Sequence, residues 1–379
     1  PTNCNCDVKC WRVIAFQSRC RITVTHFICI LNIIFLLMHT KMSGCPSYND
    51  VTTSNANLQN LFINAKYFID SQFGNDATAV FFDSAKPYQN IGTVAGLVQP
   101  GDVVFVQPGI YSTPTINLND AIWYFSAGAV TTTLITGSGS VFGFGEFVGQ
   151  SPVININLLS SSLFFQAYKV RTASDYAIKI NNGNARFDIT RLEAPAGFQI
   201  SGAADVDANV KEFDGLGEFI QIESTASGEF CCQCQDLDCG VGIRCFSNLF
   251  TVNLLAQCIA CTSEYFIVAA DSSVASRSDL RINASISRIE CSGLLDVSGI
   301  PSVMDTLSQP RVNLNIQNIN SVNQVAFPIL RIGYALCNFT YDVLAFSYAV
   351  NIPYIIVISD GGILHMNGKQ TFNSDQTLA

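Results

Sequence analysis

Residues 282–289 read INASISRI and residues 312–319 read VNLNIQNI, so the two stretches share one pattern. Apolar residues stand at the first, third, fifth and eighth positions, and the other positions are polar. An alternation of period two predicts β-strands, because successive side chains of a strand point to opposite faces. The two polar neighbours before the eighth position interrupt the alternation once, as at a tight corner between two short strands.

The same pattern recurs in seven stretches between Ala185 and Asp360. Their last apolar positions, taken as anchors, lie 21, 24, 22, 30, 30 and 25 residues apart. The anchors are Leu192, Phe213, Leu237, Ile259, Ile289, Ile319 and Leu344. One polar column between the apolar positions contains Asn253, Asn283, Asn313 and Asn338. This periodicity describes the turns of a solenoid, because each turn buries its apolar face only against its neighbours.

A second apolar run follows most anchors, for example at residues 198–200 and 219–222. Helices are not indicated, because apolar residues do not recur at spacings of three and four. We therefore predict an all-β chain that folds as a right-handed parallel β-helix with a short N-terminal capping helix. The composition agrees, since 13% charged and 49% hydrophobic residues suit a long β core and argue against disorder.

The segment 67–111 carries the most specific local signature. It contains YFID at residues 67–70, GND at 74–76 and GDVVFVQPGIY at 101–111. An amphipathic stretch follows Pro87 and precedes Gly101, with apolar residues at Ile91, Val94, Leu97 and Val98. This stretch predicts a short helix. Such a helix would cover the open end of a solenoid, whose apolar interior would otherwise meet water.

This arrangement resembles the entry segment of pectin-lyase-like right-handed parallel β-helix proteins. There a strand, a capping helix and a G-D-x-V-x-V-x-P-G-x-Y turn begin the stack. The resemblance is specific over residues 67–111, and the turn pattern extends it to about residue 360. The superfamily includes polysaccharide lyases and hydrolases, phage tail spikes, bacterial surface proteins and uncharacterised proteins of large DNA viruses. The low-charge turns, rich in Asn and Ile, look most similar to the viral group.

The chain divides into five predicted segments. They are an extension or signal or anchor segment (1–41), a lead-in (42–66), the entry and capping segment (67–111), the β-helix turns (112–360) and a polar C-terminal tail (361–379). The first segment differs from the rest, with five cysteines and an apolar run at 27–38. Three interpretations stay open: translation that begins at Met42 or Met38, a signal peptide or anchor, and a lipoprotein cleavage site at residues 42–45.

The net charge of −9 is unevenly distributed along the chain. Residues 1–41 carry five Lys or Arg and one Asp, a net charge of +4. Residues 42–379 carry 15 basic and 28 acidic residues, a net charge of −13. Residues 42–379 are therefore too acidic to form the basic surface of a nucleic-acid binder, and anionic membranes would repel them. We expect no nucleic-acid partner, and a membrane contact only if residues 22–38 form a real anchor.

The catalytic residues of the polygalacturonases in this superfamily are absent from the sequence. There is no paired Asp-Asp, Gly-His-Gly or Arg-x-Lys, and the only histidines are His26, His39 and His365. The acidic residues after three successive anchors nevertheless form a column of candidate catalytic residues: Glu193, Asp214 and Asp238. Carboxylates about 4.8 Å apart on successive turns could bind Ca²⁺, as in the pectate lyases, or act as a glycosidase pair. The competing interpretation is a solvated acidic face balanced by Arg191, Lys211 and Arg288.

Seven of the cysteines fall between Cys231 and Cys261. The predicted register points Cys261 inward and Cys258 outward, so this CxxC pair is not expected to bind a metal. The same register places Cys239, Cys261 and Cys291 in one inward column on successive turns. We expect reduced thiols that pack as small apolar groups, although a disulfide along the column is within Cα reach. Neither a metal nor another cofactor is expected, apart from Ca²⁺ under the lyase alternative.

The sequence therefore leaves two functions of different classes. The first is a non-catalytic structural or surface protein, a virion or fibre component with glycan contact. It would self-associate, as a homotrimer, and contact other virion or surface proteins. Its location would be the virion or the extracellular surface, with secretion as the alternative. The second is a polysaccharide lyase or glycoside hydrolase that acts on the Glu193, Asp214 and Asp238 column. The absent catalytic motifs favour the first.

Overall fold

The computed structural model describes residues 55–149, 151–247, 249–270, 279–299, 310–323, 328–333, 335–348, 356–359 and 362–370. Two helices lie in this part of the chain, α1 (Asn55–Asn64) and α2 (Ile91–Ala95). The first strands are β1 (Tyr67–Ile69), β2 (Val103–Val106), β3 (Gly109–Asn117), β4 (Ile122–Phe125), β5 (Ala129–Thr136), β6 (Gly139–Gly143) and β7 (Glu146–Gly149). They continue as β8 (Ile154–Thr172), β9 (Tyr176–Glu193), β10 (Ala196–Ile200), β11 (Ala203–Asp214), β12 (Glu218–Ile222), β13 (Ser227–Cys239) and β14 (Val241–Cys245). The last are β15 (Leu249–Ala270), β16 (Arg281–Gly299), β17 (Arg311–Asn323), β18 (Leu330–Ile332), β19 (Leu336–Tyr348), β20 (Ile356–Ile358) and β21 (Ile363–Gln370).

The strands stack in parallel to form a β-solenoid with three faces, which confirms the predicted all-β parallel coil. Each face is defined by one column of register partners. Face A is Tyr67, Val104, Trp123, Val141, Phe165, Phe187, Ala208, Cys232, Leu254, Ala284, Leu314, Phe339 and Met366. Face B is Tyr111, Thr131, Phe147, Val170 and the seven anchors from Leu192 to Leu344. Face C is Ile116, Ile135, Ile154, Ile178, Phe198, Ile220, Ile243, Ile267, Leu295, Leu330 and Ile356.

The predicted register is confirmed at every anchor. Leu192 pairs with Phe213, Phe213 with Leu237, and the series continues in order to Leu344. The corner between faces A and B also lies where the alternation slips. Thr190 and Arg191, for example, are both partly exposed between buried Ile189 and Leu192. Strands β9, β11 and β13, for example, bend at this corner and contribute to both faces.

The interior contains a chain of aromatic contacts that joins the three faces. Ring centroids are 4.9 Å apart for Phe147 and Phe165 and 6.3 Å apart for Phe165 and Phe187. The ring centroid of Phe187 lies 5.6 Å from that of Phe198 on face C. The Phe198 centroid lies in turn 5.3 Å from that of Phe230 in β13. All five rings are at most 1% exposed. Because these side chains interdigitate between faces, the turns share one core rather than forming separate sheets.

Helix α2 occupies the predicted capping segment. Ile91 and Val94 on this helix, and Val98 after it, are buried, whereas Leu97 is exposed and does not pack as predicted. The helix packs against β1 and β3, the first strands of the stack. Asp76 fixes the entry to the helix, because its carboxylate accepts hydrogen bonds from the backbone N–H of Gln89 and of Asn90 at 2.7 and 3.0 Å.

The contacts of the motif residues explain why they occur in the turn at residues 101–111. Asp102 forms an ion pair with Lys66 at 2.9 Å and accepts a hydrogen bond from the Gln99 N–H at 2.8 Å. Gly109 has a φ of +156°, and a Cβ there would lie 2.2 Å from Ser71 Oγ. The Tyr111 hydroxyl donates to the Gln107 carbonyl at 2.9 Å. The motif thus closes the first turn of the solenoid on itself.

The solenoid is longer than the seven stretches of the sequence pattern. Strands β2 to β8 form earlier rungs, where the alternation is blurred because outward positions are also apolar. Strand β21 lies in the predicted polar tail 361–379 and pairs with β19, so rungs continue past residue 360. Segment 1–41 and the lead-in as far as residue 54 lie outside the described residues. Within the described part of the chain, neither helix has the length and apolar character needed to cross a membrane.

We predict that Phe198→Ala destabilises the protein by about 3–5 kcal/mol, because it removes a fully buried ring that bridges faces A and C. Urea unfolding followed by circular dichroism measures the change. Leu216→Ala, which truncates a side chain that is 87% exposed, should change the unfolding free energy by less than about 0.5 kcal/mol. Equal effects of the two substitutions would contradict the packing described above.

Candidate functional site

The structure places the three predicted catalytic residues on successive rungs of face B. Glu193 pairs with Asp214, and Asp214 pairs with Asp238. The column continues to Arg171 on the side of Glu193 and to Ala260 on the side of Asp238. All three carboxylates belong to outward positions just after the buried anchors. The sequence register therefore brought the correct neighbours together, and the chemistry depends on what surrounds each one.

Glu193 is held by three cations. Its carboxylate lies 2.8 Å from Lys169 Nζ, 2.7 Å from Arg191 Nε and 3.7 Å from Arg171 Nε. Partial burial raises the pKa of Glu193, but the hydrogen bond from Lys169 and the charges of Lys169, Arg191 and Arg171 outweigh it, so the pKa is lowered. A carboxylate held in this way stays ionised and is poorly suited to act as a general acid.

Asp214 and Asp238 have a different environment from Glu193. Both side chains are exposed, and among the described residues no Lys or Arg lies within ion-pair distance of either. Partial burial and the charge of Asp214 both raise the pKa of Asp238. These two residues therefore form a repulsive carboxylate pair on neighbouring rungs.

The surroundings of the acidic column offer few metal ligands. In the described ranges no three residues among His, Cys, Asp and Glu are grouped closely enough to hold a metal ion. The next column along the corner changes sign once, from the basic Lys169 and Arg191 to the acidic Glu212 and Asp236. Arg191 Nε also lies 3.7 Å from the Glu212 carboxylate. Part of the acidic face is thus neutralised by the chain itself.

A second candidate surface covers the outer side of face A. Phe68, Phe105, Tyr124 and Phe142 are register partners on successive rungs, and all four point away from the core columns. Phe105 and Tyr124 stack with ring centroids 4.9 Å apart and planes inclined by 24°. Phe142 contacts Phe164 of the next turn at 4.7 Å. We call the partly exposed rings Phe105, Tyr124, Phe142 and Phe164 the aromatic stripe.

Polar side chains lie next to the aromatic stripe and continue on the following turns of the solenoid. Gln166 directly follows Phe165, the register partner of Val141, and it begins a polar column that continues with Asp188 and Asn209. Gln166 Nε2 donates to Asp188 at 3.2 Å, and Asn209 Nδ2 donates to the same carboxylate at 3.1 Å. Burial raises the pKa of Asp188, and the hydrogen bond from Gln166 opposes this effect. The face thus offers apolar rings beside amide and carboxylate groups.

The sequence carried a signal for the stripe that alternation alone does not show. Strands β2 (VVFV) and β4 (IWYF) are apolar at both inward and outward positions. A strand that is apolar on both sides either is covered or presents an apolar outer surface. The aromatic residues Trp123, Tyr168 and Tyr176 do not join the stripe. Trp123 is in the core, Tyr168 is exposed near the corner, and Tyr176 bonds to Glu218 beside face C.

The polar column on the other half of face A is an asparagine ladder. Asn283 Nδ2 donates to Asn253 Oδ1 at 2.8 Å, Asn313 donates to Asn283 at 2.8 Å, and Asn338 donates to Asn313 at 2.8 Å. Each amide thereby satisfies its neighbour along the axis of the solenoid. These side chains fix the stacking of turns. The ladder includes Asn283 and Asn338, each of which begins an Asn-x-Ser/Thr sequence.

The cysteines lie where the register predicts. Cys261 is buried and Cys258 is partly exposed, so the two residues of this CxxC pair point to opposite sides of the strand. Cys239, Cys261 and Cys291 are buried register partners on successive rungs. Cys232 and Cys234 are also buried, as predicted from their inward positions.

A scan against protein-family models gave no match. Searches of curated proteins and of solved structures also returned no match. The geometry of the described residues is therefore the basis for the functional proposal.

We predict that Glu193→Gln lowers the melting temperature at neutral pH, because it removes an ionised partner of three cations. A lowered pKa in the folded state stabilises the fold above the unfolded pKa, near 4.5, and this stabilisation is lost as the pH falls through the folded pKa. The difference between variant and wild type should therefore shrink in acid. Glu290→Gln, in the same column but outside this cation cluster, is the control. A difference that grows in acid would contradict the assignment.

Asp238→Asn should have the opposite effect. A pKa that is raised in the folded state means that ionisation above the unfolded pKa, near 3.8, destabilises the fold. The variant is therefore expected to melt at a higher temperature than wild type at neutral pH and at the same temperature in strong acid. The gain should be smaller in an Asp214→Asn background, because the repelling charge is absent. A lower melting temperature for Asp238→Asn at neutral pH would rule out the repulsive pair.

Proposed function

We propose that the chain is a non-catalytic structural or surface protein, a rigid component of a virion or fibre that contacts glycans through face A. The observation that carries this proposal is the environment of Glu193, the most enclosed of the three candidate catalytic carboxylates. Three cations hold it in its ionised form, as in a structural ion-pair cluster. The resemblance of residues 67–111 to pectin-lyase-like proteins and the right-handed sense of the coil belong to the same proposal.

The outer columns support a structural role, because many of their side chains bind one another. The asparagine ladder links successive turns, and the Gln166, Asp188 and Asn209 contacts do the same on the preceding turns. Such ladders order the surface and add to the resistance of the coil to unfolding. A regular, acidic stack of this kind is suited to assembly with other surface proteins or with two further copies of itself in a trimer.

The aromatic stripe supports the glycan contact. Sugar rings present apolar C–H faces and polar hydroxyl edges, so they pack on aromatic rings and hydrogen-bond to amides and carboxylates. Phe142 and Phe164 supply such rings, and Gln166 and Asp188 stand in the adjoining positions. Rungs about 4.8 Å apart repeat these groups along the axis, which favours a linear glycan over a compact ligand.

The alternative function is a polysaccharide lyase or glycoside hydrolase. It is favoured by the stacked pair of Asp214 and Asp238, because such enzymes use two neighbouring carboxyl groups and the raised pKa of Asp238 suits a general acid. Under this alternative Ca²⁺ would be a candidate cofactor for the acidic column. The two proposals therefore place glycan contact on different faces.

We predict that the full chain binds at least one polysaccharide of a broad panel without cleaving it, with and without Ca²⁺. Phe142→Ala should weaken the binding about five- to tenfold, because one stacked ring contributes about 1–1.4 kcal/mol. Tyr168→Ala, which removes an exposed ring outside the stripe, should leave the affinity unchanged. Affinity is measured on immobilised glycans, and cleavage is followed by reducing ends and by the ultraviolet absorbance of unsaturated products. Cleavage that Asp214→Asn or Asp238→Asn abolishes would establish the enzyme instead.

A further inference from the structure

The inward column of Cys239, Cys261 and Cys291 differs from every other cysteine position described. Cys239 pairs in register with Cys261, and Cys261 pairs with Cys291. The remaining described cysteines have other residues as their register partners, for example Ala208 and Leu254 for Cys232. The three thiols in this column are at most 2% exposed. They therefore face one another inside the core.

The spacing of the column fits a disulfide between neighbours only. Parallel strands lie about 4.8 Å apart, which falls within the Cα separation of roughly 4.4–6.8 Å that disulfides require. Cys239 and Cys291 are two rungs apart, at about 10 Å, and this is too far. Any disulfide within the column must therefore contain Cys261, and only one can exist at a time.

The contacts of the thiols favour one of the two pairs. The Cys239 and Cys261 thiols lie close enough to interact, and this interaction raises the pKa of Cys239. Cys261 Sγ also lies 2.9 Å from the Gly240 carbonyl oxygen, which follows Cys239 directly in the chain. These contacts bring Cys261 towards the rung of Cys239 rather than that of Cys291.

We propose that Cys261 is a disulfide-forming residue that links to Cys239, and to Cys291 when Cys239 is absent. The oxidant we name is a small disulfide such as oxidised glutathione. One cysteine thiolate attacks a glutathione sulfur and expels a glutathione thiolate. The second cysteine thiolate attacks the protein sulfur of the mixed disulfide and expels the other glutathione thiolate. Two protein thiols are oxidised, one glutathione disulfide is reduced to two thiols, and the two protons end on the released glutathione.

The burial of the column determines when this reaction occurs. Burial and neighbouring negative charge raise the pKa of Cys291, and the thiol pKa of Cys239 is raised as well, so thiolates are scarce in the folded protein. The folded core also excludes a glutathione molecule. Oxidation therefore takes place while the turns are closing, and the finished core then protects the bond. The reduced chain keeps three packed thiols and the same fold.

The test is refolding of the full chain in a buffer of reduced and oxidised glutathione, in parallel with refolding in excess reductant. Samples are acid-quenched, alkylated under denaturing conditions, digested without reduction and mapped by mass spectrometry. Oxidative refolding should yield a Cys239–Cys261 peptide pair and alkylated Cys291. Cys239→Ala should yield the Cys261–Cys291 pair, and Cys337→Ala, which alters a buried cysteine outside the column, should retain the Cys239–Cys261 pair.

The mapping of the wild-type chain decides the matter even if a variant fails to fold. Recovery of folded protein from the oxidising buffer with all three cysteines alkylated would overturn the proposal. A Cys239–Cys291 bond, or pairing of Cys261 with a cysteine outside the column, would overturn it too. Far-ultraviolet circular dichroism of the same sample shows that the folded protein is the species mapped.

Discussion

The structure depends on one constraint: each turn has an apolar edge that only the neighbouring turns can cover. Parallel strands in register place like positions of successive turns above one another, so the inward columns need apolar side chains at nearly every position. Thr131 of face B is a buried polar exception. Ile220 and Ile243 of face C, and Phe213 and Leu237 of face B, meet this requirement as direct partners. A shift of one residue would turn the whole apolar set outward, and for this reason the register is strongly specified.

The same constraint determines the chemistry of the outer surface. Stacking puts identical or similar side chains about 4.8 Å apart, where amides attract and like charges repel. The asparagine ladder uses the attraction, whereas Asp214 and Asp238 bear the repulsion. Glu193 avoids it, because Lys169 and Arg191 lie within 2.8 Å of its carboxylate. A surface so engaged in its own stacking supports the proposed scaffold role, and Phe142 and Phe164 are where we propose that it contacts a glycan.

The sequence was sufficient for the fold where alternation is strict and insufficient where it is not. Between residues 185 and 344 inward apolar and outward polar residues alternate, so the register, the corner and the cysteine column follow from the pattern. Strand β4 is apolar on both sides, so its register could not be read and the stripe containing Tyr124 was missed. The acidic column was predicted as a set of neighbours. Arg191 was expected among the basic neighbours of this column, but Lys169 and Arg171 were not, because they come from a turn that the sequence pattern does not cover.

Each turn should add the same rise along the axis of the solenoid, whatever the length of its loops. Distances between pairs of spin labels, measured by electron paramagnetic resonance, test this most directly. Gln233, Thr340 and Asn367 occupy one exposed outer column, and labels carried by a non-natural amino acid leave the cysteines untouched. The labels at 233 and 340 are four rungs apart, and those at 233 and 367 are five rungs apart. A rise of about 4.8 Å per rung gives expected mean distances of about 19 and 24 Å. Distances that do not differ by about one rung, or broad distributions without a defined mean, would contradict it.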